Sequence, residues 1–305
     1  MNNISNLINT NEVLYMIIGI HSNGDGKVKW VSTEWLEDNL DEGIMLFDVQ
    51  PDIHDYIKEH IPGAYYFNEW FLRQMRGNDP ARYIPHEAIQ SIFSKQGIQK
   101  DIPTVLYTGK GAYSNRGDGW GQTMAAYSLA RFGHDNIYLL DGGIDKWKKE
   151  ENEVTKVFPK LKESKFEIEI QKDYFLAYEE FKAVKDNDDV IVLDARPFKY
   201  YAGPSLWNKP GHIPGAFNLQ AAKFMHPSNR QLLKNENEIK SLAQECSATP
   251  DKKIICYCGT GREATNLFLV FKWFLGYENV KLYEGSFTEW TQKNSNHTVT
   301  GPNPY

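Results

Sequence analysis

The sequence predicts an α/β protein built from two tandem copies of one unit, each a mainly parallel sheet with helices on both faces. Three observations predict it. One set of landmarks recurs once along the chain, short β-branched runs alternate with amphipathic stretches, and 305 residues suit two cores of ~100–150 residues better than one.

The repeat decides the architecture before any local reading. His60-Ile61-Pro62-Gly63-Ala64 returns as His212-Ile213-Pro214-Gly215-Ala216, and each follows an apolar run ending in Asp, Leu46-Phe47-Asp48 and Val192-Leu193-Asp194. Further on, the stretch from Phe132 to Gly143 matches that from Leu275 to Ser286, and Trp147 matches Trp290. In the second copy, Val190 to Leu193, Ile254 to Tyr257 and Val280 to Tyr283 read as buried strands. Tyr178 to Lys185 and Ala264 to Phe274 carry helical spacing. Strand and helix in alternation imply parallel pairing with both sheet faces covered.

Taken in order, residues 1–26 read as an N-terminal extension, 27–150 as the first copy, 151–165 as a solvated linker, 166–295 as the second copy and 296–305 as a tail. The apolar run Val13 to Ile20 is shorter than the ~20 residues a bilayer span needs, and Met1 to Glu12 lack the Lys or Arg of a secretory leader. The linker is rich in Glu and Lys, contains Pro159 and has no apolar period.

Composition narrows the partners. A hydrophobic share of 41% with 24% charged residues is that of a soluble globular chain. The net charge of −6 and the absence of any Lys/Arg block argue against nucleic acid and anionic membrane, while a few local cations still suffice for a small anion. Three cysteines, Cys246, Cys256 and Cys258, give no framework of pairs, so a reducing, cytoplasmic setting is expected. No cluster has metal-ligand spacing and no Gly-rich loop matches a dinucleotide fingerprint, so no cofactor is expected beyond a persulfide.

The chemistry concentrates at Cys258. The run from Ile254 to Tyr257 is followed by Cys258-Gly259-Thr260-Gly261-Arg262-Glu263 and a helix start at Ala264, the place in an α/β sheet where ligands bind. Positive φ at Gly259 and Gly261 would let loop amides converge as an anion nest, helped by the following helix. A thiol there is expected to have a depressed pKa, because those dipoles favour the thiolate that attacks. Cys256, two residues earlier on the strand, reads as a core thiol, and nothing marks Cys246 as reactive.

Together, the paired His-Ile-Pro-Gly-Ala segments, Asp141-Gly142-Gly143 with Trp147, the run Leu193-Asp194-Ala195-Arg196 and the Cys258 loop resemble the tandem-domain rhodaneses, the thiosulfate and 3-mercaptopyruvate sulfurtransferases. The resemblance runs from about Trp30 to Trp290. It implies a catalytic second copy and an inactive first copy, in keeping with Thr108 at the position aligned with Cys258. It also implies a small anionic sulfur donor, a persulfide on Cys258, and an acceptor that is cyanide, a small thiol or a thioredoxin-like protein. A rhodanese-like phosphatase would need Arg at position 264, which is Ala264 here.

By this resemblance Arg196 binds the donor's anionic group and His60 faces the interdomain cleft and assists proton transfer, while His212 is structural. From its place in the loop, Arg262 meets the donor's outer charge, Thr260 offers a hydroxyl, and Glu263 faces away from Cys258. The sequence departs from the mercaptopyruvate pattern where Tyr200 replaces a second arginine, with Lys199 and Lys209 as nearby cations, and where Arg262-Glu263 replaces Val-Thr. The donor therefore stays open between thiosulfate and 3-mercaptopyruvate. Two other roles also stay open, a non-catalytic docking module and a persulfide carrier loaded by a protein donor.

Overall fold

Short Val-, Ile- and Leu-rich runs gain most by pairing inside a sheet that is covered on both faces. A computed structural model of the chain, which describes residues 19–75, 79–204 and 206–305, shows this arrangement twice. The first copy contributes β1 (Ile20–His21), β2 (Val28–Val31), β3 (Met45–Asp48), β4 (Tyr65–Tyr66), β5 (Arg73–Gln74), β6 (Arg82–Tyr83), β7 (Thr104–Tyr107) and β8 (Ile137–Leu140). The second contributes β9 (Phe175–Leu176), β10 (Val190–Asp194), β11 (Ala216–Asn218), β12 (Met225–His226), β13 (Asn229–Leu233), β14 (Lys253–Tyr257) and β15 (Val280–Tyr283).

The sheets run β1-β2-β8-β7-β3-β4 and β11-β10-β14-β15-β9. Removing β1 makes the two orders identical, and every remaining pair is parallel. A small antiparallel hairpin, β5 with β6 and β12 with β13, accompanies each sheet. β1 is the one addition, an antiparallel edge strand on β2 made by the described part of the N-terminal extension. Most of the apolar run from Val13 to Ile20 lies outside the described residues. Among the described residues, no helix is long and apolar enough to cross a membrane.

The repeated His-Ile-Pro-Gly-Ala segment is explained by a shared set of hydrogen bonds. Ile61 N donates to Tyr107 Oη at 3.1 Å, and Ile213 N to Tyr257 Oη at 3.2 Å. Tyr56 Oη donates to the Ala64 carbonyl and Tyr201 Oη to that of Ala216. His60 stacks on Tyr56 and His212 on Tyr201, with each Nδ1 within 2.9 Å of its tyrosine's carbonyl oxygen.

Each histidine also fastens the chain that leaves its copy. His60 and Thr155 exchange two backbone hydrogen bonds, and His60 Nε2 lies 3.2 Å from the Val157 carbonyl. His212 does the same with Val299, and its Nε2 lies 3.1 Å from the Asn303 carbonyl. The linker is therefore laid along the first copy, even though Val157 and Phe158 are exposed. His60, fully buried between two carbonyls, does not face the interdomain cleft. The sequence pattern of a solvated linker carried no record of the backbone pairing that fixes it.

The copies meet helix to helix. The helix Gly121–Arg131, buried along its whole length, packs on Ala264–Leu269, which continues as a π-helical turn over Val270–Phe274. Tyr127 and Phe268 meet edge to face with centroids 5.1 Å apart, and Thr265 Oγ1 donates to Thr123 Oγ1. One apolar core runs from Val28 and Phe47 through this seam to Trp273 and Leu282.

Candidate active site

Cys258 directly follows β14, which lies between β10 and β15, so the sheet delivers its sulfur to the carboxyl end of a central strand. Its backbone is pinned on both sides. Cys258 N donates to Ser286 Oγ at 3.2 Å, and the Cys258 carbonyl accepts from Phe287 N at 3.0 Å. Ser286 takes φ +53°, a left-handed conformation that Gly143 (φ +58°) holds in the first copy. The second copy accepts a non-glycine there and gains the hydroxyl that meets Cys258.

The amides of Thr260 and Ala264 are directed at the sulfur and favour its thiolate, as a nest should. Burial nevertheless dominates. Cys258 is 1% exposed, and desolvation, seconded by the carboxylate of Glu263, pushes its thiol up to about 11. This corrects two expectations: the thiol is not acidic in the resting structure, and Glu263 acts on Cys258 instead of being turned from it. Glu263 is itself pushed up to about 7, by burial first and then by Asp118 and Asp194.

The two loop glycines serve different ends. Gly261 has φ +84°, as expected, whereas Gly259 is absent from the left-handed region. Gly259 is needed for close approach, since a Cβ there would lie 2.2 Å from Trp207 Cζ2. Trp207 Nε1 donates to Thr288 Oγ1 at 2.9 Å, and that hydroxyl donates to the Gly259 carbonyl at 2.7 Å. An indole thus roofs the loop.

Both arginines are already engaged by carboxylates. Arg196, fully buried, holds Asp194 through Nε and Nη2, donates from Nη2 to the Gly211 carbonyl, and stacks 3.8 Å from the Phe287 ring centroid. Only its Nη1 is buried without a hydrogen-bond partner. In the first copy Gln50 stands in its place, donating from Nε2 to Asp48 at 2.9 Å, so binding this aspartate is a feature of the repeat. Arg262 crosses the seam, with Nε on Glu69 and Nη1 on Asp118. It does not face an open mouth as its place in the loop suggested.

The other residues separate further. The Thr260 carbonyl accepts from Arg73 Nη1 at 2.8 Å, a third link from the first copy. Lys209 Nζ is spent on the carbonyls of Lys293, Asn294 and Asn296 at the end of the helix Ser286–Gln292. Lys199 is exposed, its Nζ 4.6 Å from the Tyr200 ring centroid. Cys256 is fully buried and pushed well above its ordinary range by desolvation, and Cys246 is pushed up to about 11 by the same cause.

In the first copy Thr108, 1% exposed, occupies the position equivalent to Cys258, and its loop is filled from within. Tyr113 N and Ser114 N donate to Asp55 Oδ1 at 2.7 and 2.8 Å, and Ser114 Oγ donates to Oδ2.

The Rhodanese-like domain family matches residues 32–150 and again 177–293. The chain belongs to the rhodanese family. Among sulfurtransferase relatives, a putative thiosulfate sulfurtransferase of Synechococcus elongatus is 31% identical over 90% of this chain and 86% of its own. The sulfur carrier protein TtuD of Thermus thermophilus is 31% identical over 85% of this chain and 92% of its own. The crystal structure of YnjE superposes with a TM-score of 0.78 at 22% identity, covering 90% of this chain and 69% of that one. This rhodanese is therefore a tandem one, and a sulfurtransferase by its relatives.

Reading by local pattern missed Glu69, Asp118, Arg73, Trp207, Ser286 and Thr288. Ser286 alone left a trace, as the serine aligned with Gly143 in the repeat.

Proposed function

We propose that this rhodanese moves sulfane sulfur from thiosulfate or 3-mercaptopyruvate to a thiol or cyanide acceptor through a persulfide on Cys258. The observation that supports it is the sulfur of Cys258 at the carboxyl end of β14 with the Thr260 and Ala264 amides directed at it, an arrangement whose counterpart in the first copy is Thr108.

The Cys258 thiolate attacks the donor's sulfane sulfur and forms the new S–S bond. With thiosulfate, the old S–S bond breaks and sulfite leaves with the electron pair. With 3-mercaptopyruvate, the C–S bond breaks and the pyruvate enolate leaves and takes up a proton. An acceptor thiolate then attacks the outer sulfur, and Cys258 departs as thiolate. The loop amides stabilise the charge on Cys258 in both steps, and Arg196 Nη1 is the guanidinium nitrogen left for the donor's anionic group. The three free thiols suit a reducing cytoplasm.

A second reading, a persulfide carrier loaded by a protein donor, is favoured by one observation. The guanidinium groups of Arg196 and Arg262 are both paired with carboxylates, which weakens the pull on a free dianion.

The test is intact-mass spectrometry after exposure to thiosulfate, to 3-mercaptopyruvate and to a persulfidated protein, using wild type and Cys258→Ser. One added sulfur on wild type and none on the variant is expected, and the donor that loads it fastest selects between the readings. A wild-type chain that stays unloaded with all three donors, or a variant that loads equally, ends the proposal.

A further inference from the structure

Arg196 carries the nitrogen proposed to meet the donor, yet its side chain is 0% exposed. Nε and Nη2 are spent on Asp194 and on the Gly211 carbonyl, and Nη1 has no hydrogen-bond partner. Rings surround the guanidinium, with Cζ 3.8 Å from the Phe287 centroid, 4.9 Å from that of Trp207 and 6.0 Å from that of Tyr257. A buried N–H without a partner is costly, so a state in which an acceptor reaches it is favoured by the acceptor.

Of the groups placed around this guanidinium, Asp194, Gly211, Tyr257 and Phe287 are buried, and Trp207 is the one that also reaches solvent. The indole is the cover between Arg196 and water. It closes on the Cys258 loop as well, since a Cβ on Gly259 would lie 2.2 Å from Trp207 Cζ2. One edge of the ring is latched by the hydrogen bond from Nε1 to Thr288 Oγ1, 2.9 Å long. The repeat ties this cover to the arginine. Asp48 precedes His60 by 12 positions and Asp194 precedes His212 by 18, so the second copy has six extra residues in this connection, and Trp207 lies within it. The first copy has Gln50 where the second has Arg196, and no tryptophan between Asp48 and His60.

We propose that Trp207 is a gate residue that sets the affinity of this rhodanese for small anionic donors, the closed indole occupying the approach to Arg196. The proposal rests on the reading of Arg196 as the site for the donor's anionic group. Opening costs the bond to Thr288 and the cation–π contact with Arg196, while Thr288 Oγ1 keeps its own bond to the Gly259 carbonyl. The apparent affinity is then the intrinsic one reduced by the fraction of open molecules. Removing the indole restores the intrinsic value and leaves the chemistry at Cys258 as it was. A change at Gly259 differs, because it moves the loop that carries the sulfur.

Two measurements on the full chain test this. Sulfur loading at rising thiosulfate concentration, followed in single turnover by intact mass, gives a half-saturating concentration and a maximal rate. Titration calorimetry with sulfate, which has no sulfane sulfur to give, reports anion binding in a Cys258→Ser background. Tryptophan at 207 is compared with Trp207→Ala and with Trp207→Phe, which keeps a ring beside Arg196 but cannot donate to Thr288. Trp207→Ala should lower the half-saturating thiosulfate concentration and the sulfate dissociation constant about tenfold each, with the maximal rate within about twofold of wild type. Trp207→Phe should lower both by about threefold.

A merely structural role would reduce the maximal rate and leave the half-saturating concentration and the sulfate constant in place, and that result overturns the proposal. Weaker anion binding in Trp207→Ala overturns it too, since the indole would then be part of the anion site and not its cover. A wild-type chain that thiosulfate does not load ends the reading of Cys258 with that donor, and the sulfate titration still decides on the gate.

Discussion

At the scale of single residues, Cys258 joins two opposed influences, a nest of amides and a dry, acidic surrounding. With its thiol pushed up to about 11, only a small fraction is thiolate at neutral pH. The rate of sulfur loading by thiosulfate should therefore rise about tenfold per pH unit between about pH 7 and 9, since the thiolate is the attacking form. A flat profile in single-turnover mass measurements contradicts this. Gly259→Ala should cut loading at least about tenfold, because the new Cβ displaces Trp207 and the loop it roofs. That Cys258-Gly259-Thr260-Gly261 forms a loop at a strand end was legible in the sequence. The sign of the thiol's shift was not, because it depends on burial and on where Glu263 ends up, neither of which a local pattern encodes.

At the scale of elements, parallel strands and their crossover helices followed from hydrophobic runs and from the repeat, including the boundaries of β10 and β14 to within a residue or so. What connects them was harder to read. His134, 1% exposed after the helix Gly121–Arg131, accepts at Nδ1 from Asn136 N and donates from Nε2 to Thr104 Oγ1 on β7. Burial lowers its pKa from 6.5 to about 4, so the neutral ring belongs to the fold. The stability it confers is fully present above about pH 6.5 and is lost as pH falls toward 4, by roughly 3 kcal/mol. Denaturant melts across that window should show the slope, and His134→Gln should flatten it. In the same way His212→Ala, which removes the ring that links the Tyr201 carbonyl to the Asn303 carbonyl of the tail, should cost about 2 kcal/mol in stability by denaturant melts.

At the scale of the whole molecule, the seam is continuous with the main apolar core and not a loose junction. Glu284, at the end of β15, accepts from Tyr127 Oη and from Arg131 Nε and Nη2, and the Arg131 guanidinium lies 4.2 Å from the Phe175 ring centroid. Replacing Arg131 with Met should leave that carboxylate without its cation and cost about 3 kcal/mol, seen as a lower melting temperature. None of this could be read along the chain, because the partners are far apart in sequence: Glu69 and Arg262 differ by 193 positions. Local periodicity predicts what each copy buries, whereas the pairing of copies depends on which side chains their folds bring face to face.

The first copy's loop shows how a ring of loop amides can be filled by a carboxylate of the same chain. Its amides close on Asp55, so the copy carries a tethered occupant that cannot diffuse away. Installing a thiol by Thr108→Cys would therefore not make it a sulfur site. Such a protein, exposed to donor, should still take up a single sulfur atom, with the new thiol left reduced.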